Sequence, residues 1–408
     1  MWLQIVVSMV LAVIVGFIFV ATGIKEGHWL YGILAFIADA FIRLINMLVV
    51  PLIVSSLIVG VAGLQNPVQL GSIGWKTIVY FLSTTFLAVI IGLILVNIFR
   101  PGVGFHVPSD VKPPEAGKLS SIADTFLNMI PKNPVEALTT MNILQIIVFS
   151  IFVGIAIVFL GPKGKPTYNF FESLFEIMMK ITTWVMNLAP YGIFALIVKV
   201  VADHGTTIFA PLAKYMFVVI FGLILHLSLV YLSLVRTIGK YRPLQFLKGV
   251  APAWLVAFST ASSNATLPVS MKSVENNLGV SNRISSFILP LGATVNMDGT
   301  ALYEGVAALF IAQAYGIHLG LGAQIIIVLT ATLAAIGAAG IPGAGLITMV
   351  LVLQSVHLPV EGIGLILAVD RILDMCRTSI NVLGDCTGCV VIGRIENEIS
   401  EEEAEQTA

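Results

Sequence analysis

Five polar residues recur at helical spacing near the end of the chain. Residues three and four positions apart share one face of a helix, so these side chains form a single polar stripe. The segment that carries them, 362–393, is otherwise largely apolar. A charge at the centre of a bilayer costs about 2.5–3.5 kcal/mol on insertion scales, so the stripe must face protein, water or a ligand. Its members, separated by 4, 3, 4 and 4 positions, are Asp370, Asp374, Arg377, Asn381 and Asp385.

Two interpretations of this stripe are open. Its opposite charges could form internal ion pairs that tie helices together. Alternatively, the guanidinium of Arg377 would bind a carboxylate through two parallel hydrogen bonds, and Asp374, one turn away, would hold an ammonium group. The second arrangement fits a zwitterion with an acidic side chain. We therefore expect a small acidic amino acid as the ligand.

The run Asn296-Met-Asp-Gly-Thr300 interrupts an apolar segment and offers hard oxygen atoms. The Asp298 carboxylate, the Asn296 amide and unwound backbone carbonyls suit a small hard cation. The alternative is a glycine kink with a capped helix end. This run is a candidate cation site.

Glu304 follows within an apolar run. An unpaired carboxylate is costly there and favours its neutral form. Spacing alone leaves two roles open: a proton carrier, or a neutral residue that only packs. His226 also lies in an apolar span, where a satisfied interior histidine is more common than a ligand.

Two further interruptions flank this region. The serine-rich stretch 259–268 offers hydroxyl groups and helix N-termini, which favour anions, although a polar turn at the membrane surface would look the same. The glycine-rich stretch 337–345 allows close backbone approach or hinge motion, and tight helix packing through small residues is its alternative.

The elements that position these residues must lie in a membrane. Hydrophobic residues make up 58% of the 408-residue chain and charged residues only 11%, against about 25% charged residues in an ordinary soluble domain. The net charge of −1 argues against nucleic acid as a partner. Ser262 and Ser263 have no histidine in a nearby polar segment, so we do not expect an enzyme.

Long apolar segments dominate the first part of the chain, and each can cross a hydrocarbon core of about 30 Å as a helix. After residue 249 the apolar runs become shorter and are interrupted. Backbone groups cannot face lipid unpaired, and paired interrupted segments are typical of a transporter site. This order predicts an all-α membrane protein with two re-entrant hairpins, each followed by a spanning helix. The six uninterrupted segments are 3–22, 30–62, 77–99, 142–162, 177–201 and 208–235.

Basic residues indicate the orientation. The links after the second, fourth and sixth spans are basic, whereas those after the first and fifth have little net positive charge. The positive-inside rule therefore predicts a cytoplasmic N-terminus. The long link 100–141 also contains basic residues, but it is mixed in sign and counts for less.

Several motifs resemble those of the dicarboxylate/amino acid:cation symporters, a family that includes archaeal aspartate transporters and animal excitatory amino acid transporters. The resemblance covers nearly the whole chain, and its most specific parts are the Asn296–Thr300 signature and the last-helix motif. The motifs are Ser259 to Pro268, Leu289 to Glu304, Gly340 to Gly345, Asp374 to Asp385, Phe41 to Pro51 and Asn187 to Gly192.

The resemblance implies eight transmembrane helices plus two re-entrant helical hairpins, a homotrimer, and an elevator-type transporter in the cell (inner) membrane. Both termini would be cytoplasmic. The implied activity is symport of glutamate or aspartate with sodium, with proton coupling possible. The implied regions are scaffold helices at 1–75, a third span and extracellular loop at 76–141, scaffold and peripheral helices at 142–240, a transport core at 241–395, and an acidic tail at 396–408.

The resemblance also implies roles for individual residues. Arg377 would bind the side-chain carboxylate of the substrate and Asp374 its ammonium group. The other implied substrate contacts are Ser262, Ser263, Thr300, Thr378, Asn381 and the backbone at Ile341 and Gly345. One sodium would lie among Gly292, Asn296, Asn381 and Asp385. A second would use backbone near Thr294, Ala335, Ile336 and Ala338. A third would use Thr84, Thr85, Asn296 and Asp298.

Departures from the family pattern concern charge. Ala261 stands where archaeal members carry an arginine, and Met375 stands where animal carriers have one. The additional arginine here is Arg371, one turn earlier, as in some bacterial members. Glu304 matches the glutamate of animal carriers, whereas archaeal sodium-only members have glutamine, and this favours proton coupling.

The main alternative within transporters is a four-carbon dicarboxylate:cation symporter. Such members lack the amino-binding aspartate, so Asp374 argues against this alternative. Neutral amino acid carriers lack the arginine that matches Arg377. A channel would need a continuous polar pore, whereas the polar groups here cluster in broken segments.

Overall fold

The computed structural model describes residues 2–25, 27–62, 71–104, 127, 130–336 and 343–399. Within these residues the elements are helices joined by short turns. The pairing of extended backbone in this part is one isolated antiparallel bridge between Val280 and Ile399. The all-α prediction is therefore confirmed for the described residues.

The first half of the chain forms long helices, which cover the six predicted apolar spans. The chain continues past α8 in two π-helical turns, Leu227–Tyr231 and Val235–Gly239, on either side of a short α-helical turn. The helices are α1 (Trp2–Thr22), α2 (Trp29–Ala62), α3 (Gly71–Phe99), the short α4 (Pro134–Thr139), α5 (Ile143–Leu160), α6 (Lys165–Asn187), α7 (Ala189–His204) and α8 (Phe209–His226).

The fifth predicted span is longer than expected and consists of two helices. It begins at Lys165 rather than at residue 177, because its first part is amphipathic and does not stand out as an apolar run. Pro190 lies in the first turn of α7. Proline lacks an N–H and fits that position, so the chain starts a new helix there.

The second half consists of shorter helices, as the interruptions predicted. The serine-rich stretch joins α10 to α11, and the Asn296–Thr300 run joins α12 to α13. The helices are α9 (Pro243–Gly249), α10 (Ala251–Thr260), α11 (Ser263–Leu278), α12 (Asn282–Val295), α13 (Asp298–Ala314), α14 (Leu321–Ala335), α15 (Ala344–Ser355) and α16 (Ile363–Ile395).

The chain is an integral membrane protein, as its helices indicate. Four stretches of the described part are long and apolar enough to cross a bilayer by length and hydropathy alone. They are Trp29–Ala62, Ser72–Phe99, Leu144–Val185 and Phe209–Gly239.

The helices pack in two groups. In one group, α1 packs along α7, and α2 packs against α5, α6 and α7. In the other, α3 packs along α13 and α8, while α16 is surrounded by α10, α12 and α13. The groups meet where α15 contacts α2 and α16 contacts α7. The third span therefore packs with the interrupted segments rather than with the first two spans.

The residues after α16 are tied to two other helices. Glu396 accepts hydrogen bonds from the Lys76 ammonium and the Ser72 hydroxyl, both at 2.6 Å. Arg283 pairs with the Glu398 carboxylate at 2.9 Å. These contacts place the starts of α3 and α12 beside the end of α16, at one end of the molecule.

Glu396 should make this end of the protein sensitive to acid. Hydrogen bonds from Lys76 and Ser72 hold the pKa of Glu396 below its ordinary value of 4.5. The resulting stabilisation is complete above that ordinary value and is lost as the pH falls through the lowered one. Since the pair is partly exposed, we expect Glu396→Gln to reduce the free energy of unfolding at pH 7 by at most about 1 kcal/mol.

Thermal unfolding in detergent would measure this effect, with Glu176→Gln, at an exposed position on α6, as the matched control. The difference between Glu396→Gln and the parent should decrease as the pH falls below 4.5 and disappear below the lowered pKa of Glu396. A difference that persisted unchanged in acid would contradict the assigned ion pair.

Candidate functional site

Arg377 lies at the centre of the second helix group and is fully buried on α16. One amino group donates to Asp370 Oδ1 at 3.0 Å and the other to Asp374 Oδ1 at 2.9 Å. The guanidinium carbon lies 3.8 Å from the centroid of the Tyr303 ring. Charge-assisted hydrogen bonds and a cation–π contact thus stabilise the positive charge of Arg377 away from water.

The second oxygen of Asp374 has its own partners. It accepts a hydrogen bond from the backbone N–H of Gly343 at 3.1 Å and lies 3.5 Å from Arg371 Nη1. The internal ion pairs that the sequence left open are therefore present. They do not exclude ligand binding, because a ligand carboxylate could replace Asp374 at Arg377.

Polar groups from three helices surround this arginine. Asn381 donates to the Thr300 hydroxyl at 3.2 Å and accepts from the Gly299 N–H at 2.8 Å. A Cβ added at Gly345 would lie 3.3 Å from Arg377 Nη2, so the start of α15 lies directly against the guanidinium. The structure thus brings together Thr300, Gly345, Asp374, Arg377 and Asn381.

The remaining predicted substrate contacts are less closely tied to Arg377. Ser262 caps α11 through a hydrogen bond from the Ala265 N–H at 3.2 Å, and Ser263 and Thr378 are buried. Ile341 lies outside the described residues, so its role stays a prediction.

The predicted cation residues around Asp385 converge. Asn296 donates to Asp385 Oδ1 at 2.9 Å and approaches the Asn381 carbonyl at 3.4 Å. Gly292 faces the same carboxylate, because a Cβ added there would overlap Asp385 Oδ1. The Asn296 Oδ1 atom is buried and has no hydrogen-bond partner among the described residues. An amide oxygen left free beside a carboxylate suits a hard cation.

Asp298 lies in a separate buried cluster. Part of that cluster was not predicted from the sequence. The carboxylate accepts from the Thr85 hydroxyl at 2.5 Å, as expected for a neighbour in the predicted site, and from the Tyr231 hydroxyl at 2.7 Å. His226 Nε2 lies 3.0 Å from the same carboxylate. His226 is thus an interior residue with a specific acidic partner. Its burial in an apolar span was a signal, but its partner lies 72 positions away.

The other predicted cation positions are only partly described. Thr84 and Thr294 donate to backbone carbonyls of their own helices, at 3.2 and 2.9 Å. Ala335 ends α14, and the Ile336 carbonyl lies against Gly60 of α2, 3.7 Å from where a Cβ would stand. Ala338 lies outside the described residues.

Glu304 is buried on α13, one turn after Thr300. Neither oxygen of its carboxyl group has a hydrogen-bond partner within the described part of the chain. Burying an unpaired carboxylate is costly, so this environment suits a carboxyl group that carries a proton.

Comparison of the sequence with known proteins identifies its family. The sequence model of the sodium:dicarboxylate symporter family matches residues 1–395. The chain is 36% identical to the proton/sodium-glutamate symport protein of Geobacillus stearothermophilus, over 99% of this chain and 96% of that protein. It is 38% identical to the protein of the same name from Bacillus subtilis (strain 168), over 98% of this chain and 94% of that protein.

An animal relative gives the same result. Identity to the excitatory amino acid transporter 3 of Mus musculus is 39%, over 91% of this chain and 80% of that protein. The family model covers the described helices and every predicted site residue. The chain is therefore a member of the sodium:dicarboxylate symporter family.

Proposed function

We propose that the chain is a secondary active symporter of acidic amino acids, glutamate or aspartate, driven by sodium. The observation that carries this proposal is the buried Arg377, placed between carboxylates and beside Thr300 and Asn381. The named functions of the relatives, glutamate symport and excitatory amino acid transport, support it. The four-carbon dicarboxylate alternative has no support of this kind, and Asp374 argues against it.

Substrate binding would exchange one set of ion pairs for another. A substrate carboxylate would replace Asp374 on the planar guanidinium of Arg377, and the freed Asp374 would hold the ammonium group. Thr300 and Asn381, which are hydrogen-bonded to each other, would form uncharged hydrogen bonds with the substrate. A buried site of this kind rejects molecules that leave its charges unpaired.

Sodium would bind next to the substrate at Asp385. The unpartnered Asn296 amide oxygen, the Asp385 carboxylate and nearby backbone carbonyls are the candidate ligands. Asp298, with Thr85, would contribute to a second cation position. The cation would offset negative charge that the low-dielectric interior cannot otherwise stabilise.

Protons are the second proposed coupling ion, with Glu304 as their carrier. The support is the burial of its carboxyl group without a hydrogen-bond partner in the described part. A group that holds a proton in one orientation of the transporter and releases it in the other would couple proton flow to transport.

The proposed architecture is an elevator-type homotrimer with eight spans and two re-entrant hairpins, α10–α11 and α14–α15. Both termini would be cytoplasmic, which agrees with the clustering of Lys76, Arg283 and Glu396 at one end. Gly60 then lies near the cytoplasmic end of α2. The Ile336 carbonyl oxygen lies 3.7 Å from where a Cβ on Gly60 would stand, so the end of α14 would lie toward the cytoplasmic side, as in an inward-facing arrangement.

Arg377→Lys tests the substrate assignment while keeping the charge that Asp370 and Asp374 require. Lysine cannot form the two parallel bonds of a guanidinium. Losing such a buried interaction costs about 2–5 kcal/mol, so glutamate and aspartate affinity should fall by at least about thirtyfold. Calorimetry on the purified protein would measure this. Near-parental affinity in a folded variant would refute the assignment.

Asp385→Asn tests the cation site. A hard cation prefers at least one anionic oxygen, so the sodium concentration for half-maximal substrate binding should rise about tenfold or more, with little change in the preference among acidic substrates. Asp39→Asn, an exposed position on α2, is the matched control. An unchanged sodium dependence in Asp385→Asn would move the cation elsewhere.

Glu304→Gln tests proton coupling. Glutamine keeps the shape of the side chain but cannot carry a titrating proton, so substrate binding and exchange should persist while transport becomes insensitive to an imposed pH gradient. Proteoliposomes with a pH-sensitive dye inside and sodium held constant would show this, with Glu361→Gln as control. Substrate-linked acidification that survives in Glu304→Gln would exclude this residue. If uptake by the parent protein also does not respond to the pH gradient, Glu304 stays protonated throughout and only packs against its neighbours.

A further inference from the structure

Asp374 stands between two arginines of its own helix. Its Oδ1 atom accepts from Arg377 Nη2 at 2.9 Å, and its Oδ2 atom lies 3.5 Å from Arg371 Nη1. The Arg371 side chain is only 13% exposed. Its Nε atom is buried and has no hydrogen-bond partner among the described residues. Arg371 is thus a largely buried cation whose donors are incompletely used, and not a surface residue.

Helix geometry explains this placement. Successive residues of an α-helix are rotated by about 100°, so residues three positions before and after Asp374 stand about 60° to either side of it. Arg371 and Arg377 occupy these two positions. The carboxylate of Asp374 can therefore shift from one guanidinium to the other by side-chain rotation, without movement of α16.

The proposed binding mode requires such a shift. Both amino groups of Arg377 are occupied by acidic residues, Asp370 and Asp374. In the proposed function a substrate carboxylate takes the place of Asp374 at Arg377, and a displaced carboxylate left unpaired in the interior is strongly destabilising. Arg371 is the cation already within reach of Asp374.

We propose that Arg371 is a positioning residue that retains the Asp374 carboxylate when substrate displaces it from Arg377, and so holds it toward the ammonium group of the substrate. This inference rests on the proposed function, because it requires an acidic amino acid at Arg377. It assigns Arg371 no contact with the substrate. Arg371 acts only through Asp374.

A double-mutant cycle tests this dependence on Asp374. Aspartate affinity is measured by calorimetry for the parent, Arg371→Gln, Asp374→Asn and the double variant. We expect Arg371→Gln alone to weaken binding about tenfold, and to weaken it less than about threefold when Asp374→Asn is already present. Arg371→Lys, which keeps the charge, should restore most of the loss.

Two further measurements separate positioning from a structural role. Stabilisation of the protein by sodium alone should be the same in Arg371→Gln as in the parent, because Asp385 lies more than three turns further along α16. Arg236→Gln, at an exposed position, should leave aspartate affinity unchanged. If Arg371→Gln does not fold, Arg371→Met, which removes the charge but keeps an unbranched side chain, takes its place in both the single and the double variant of the cycle.

The outcomes are distinct. The inference is overturned if the losses of affinity in the two single variants add fully in the double variant. It is also overturned if Arg371→Gln binds aspartate as the parent does. Both results leave the proposed function intact. A parent protein that binds neither aspartate nor glutamate would instead refute the proposed function.

Discussion

A charge deep in a bilayer needs a partner, and the arrangement of the second helix group follows from this constraint. Arg377 is fully buried, so two carboxylates and an aromatic face must surround it. Those partners hold the site together without a substrate. A ligand that replaces these partners in the proposed site must bring its own carboxylate to Arg377 and its own ammonium group to Asp374. The internal ion pairs and the proposed substrate site are therefore two states of one set of charges.

Close backbone approach makes this concentration of polar groups possible. A Cβ at Gly299 would lie 2.6 Å from the Arg377 carbonyl oxygen, and one at Gly384 would lie 2.6 Å from Asn296 Nδ2. Larger residues would force the α12–α13 break away from α16. The break then frees backbone groups, and the Gly299 N–H finds a partner in Asn381. Interrupted helices are tolerated here because they are buried against protein rather than exposed to lipid.

The separation into two helix groups gives the site its mechanical context. The described side chains that hydrogen-bond to Arg377 and Asp385 lie on α16 or in the break between α12 and α13, and none of them lies on α1, α2 or α5 to α7. The elevator motion proposed above would require this helix group to move against the other one, and such a motion would leave these contacts unbroken. The Ile336 carbonyl oxygen, 3.7 Å from where a Cβ on Gly60 would stand, lies at the boundary between the groups.

The sequence by itself determined the membrane class, five of the six spans of the first half, the breaks in the second half, and the polar face of α16. These features depend on local properties: hydropathy, helical period, and the conformational preferences of glycine, serine and proline. The stripe from Asp370 to Asp385 could be placed on one face because spacing fixes angle along a helix. Only the tertiary structure decided which groups meet across helices. It paired Asp298 with His226 and Tyr231, packed α3 with the interrupted segments, and joined Lys76 to Glu396 across 320 positions. Spacing specifies the face a residue occupies but not the helix that packs against that face, and such pairings depend on how all the helices share the interior.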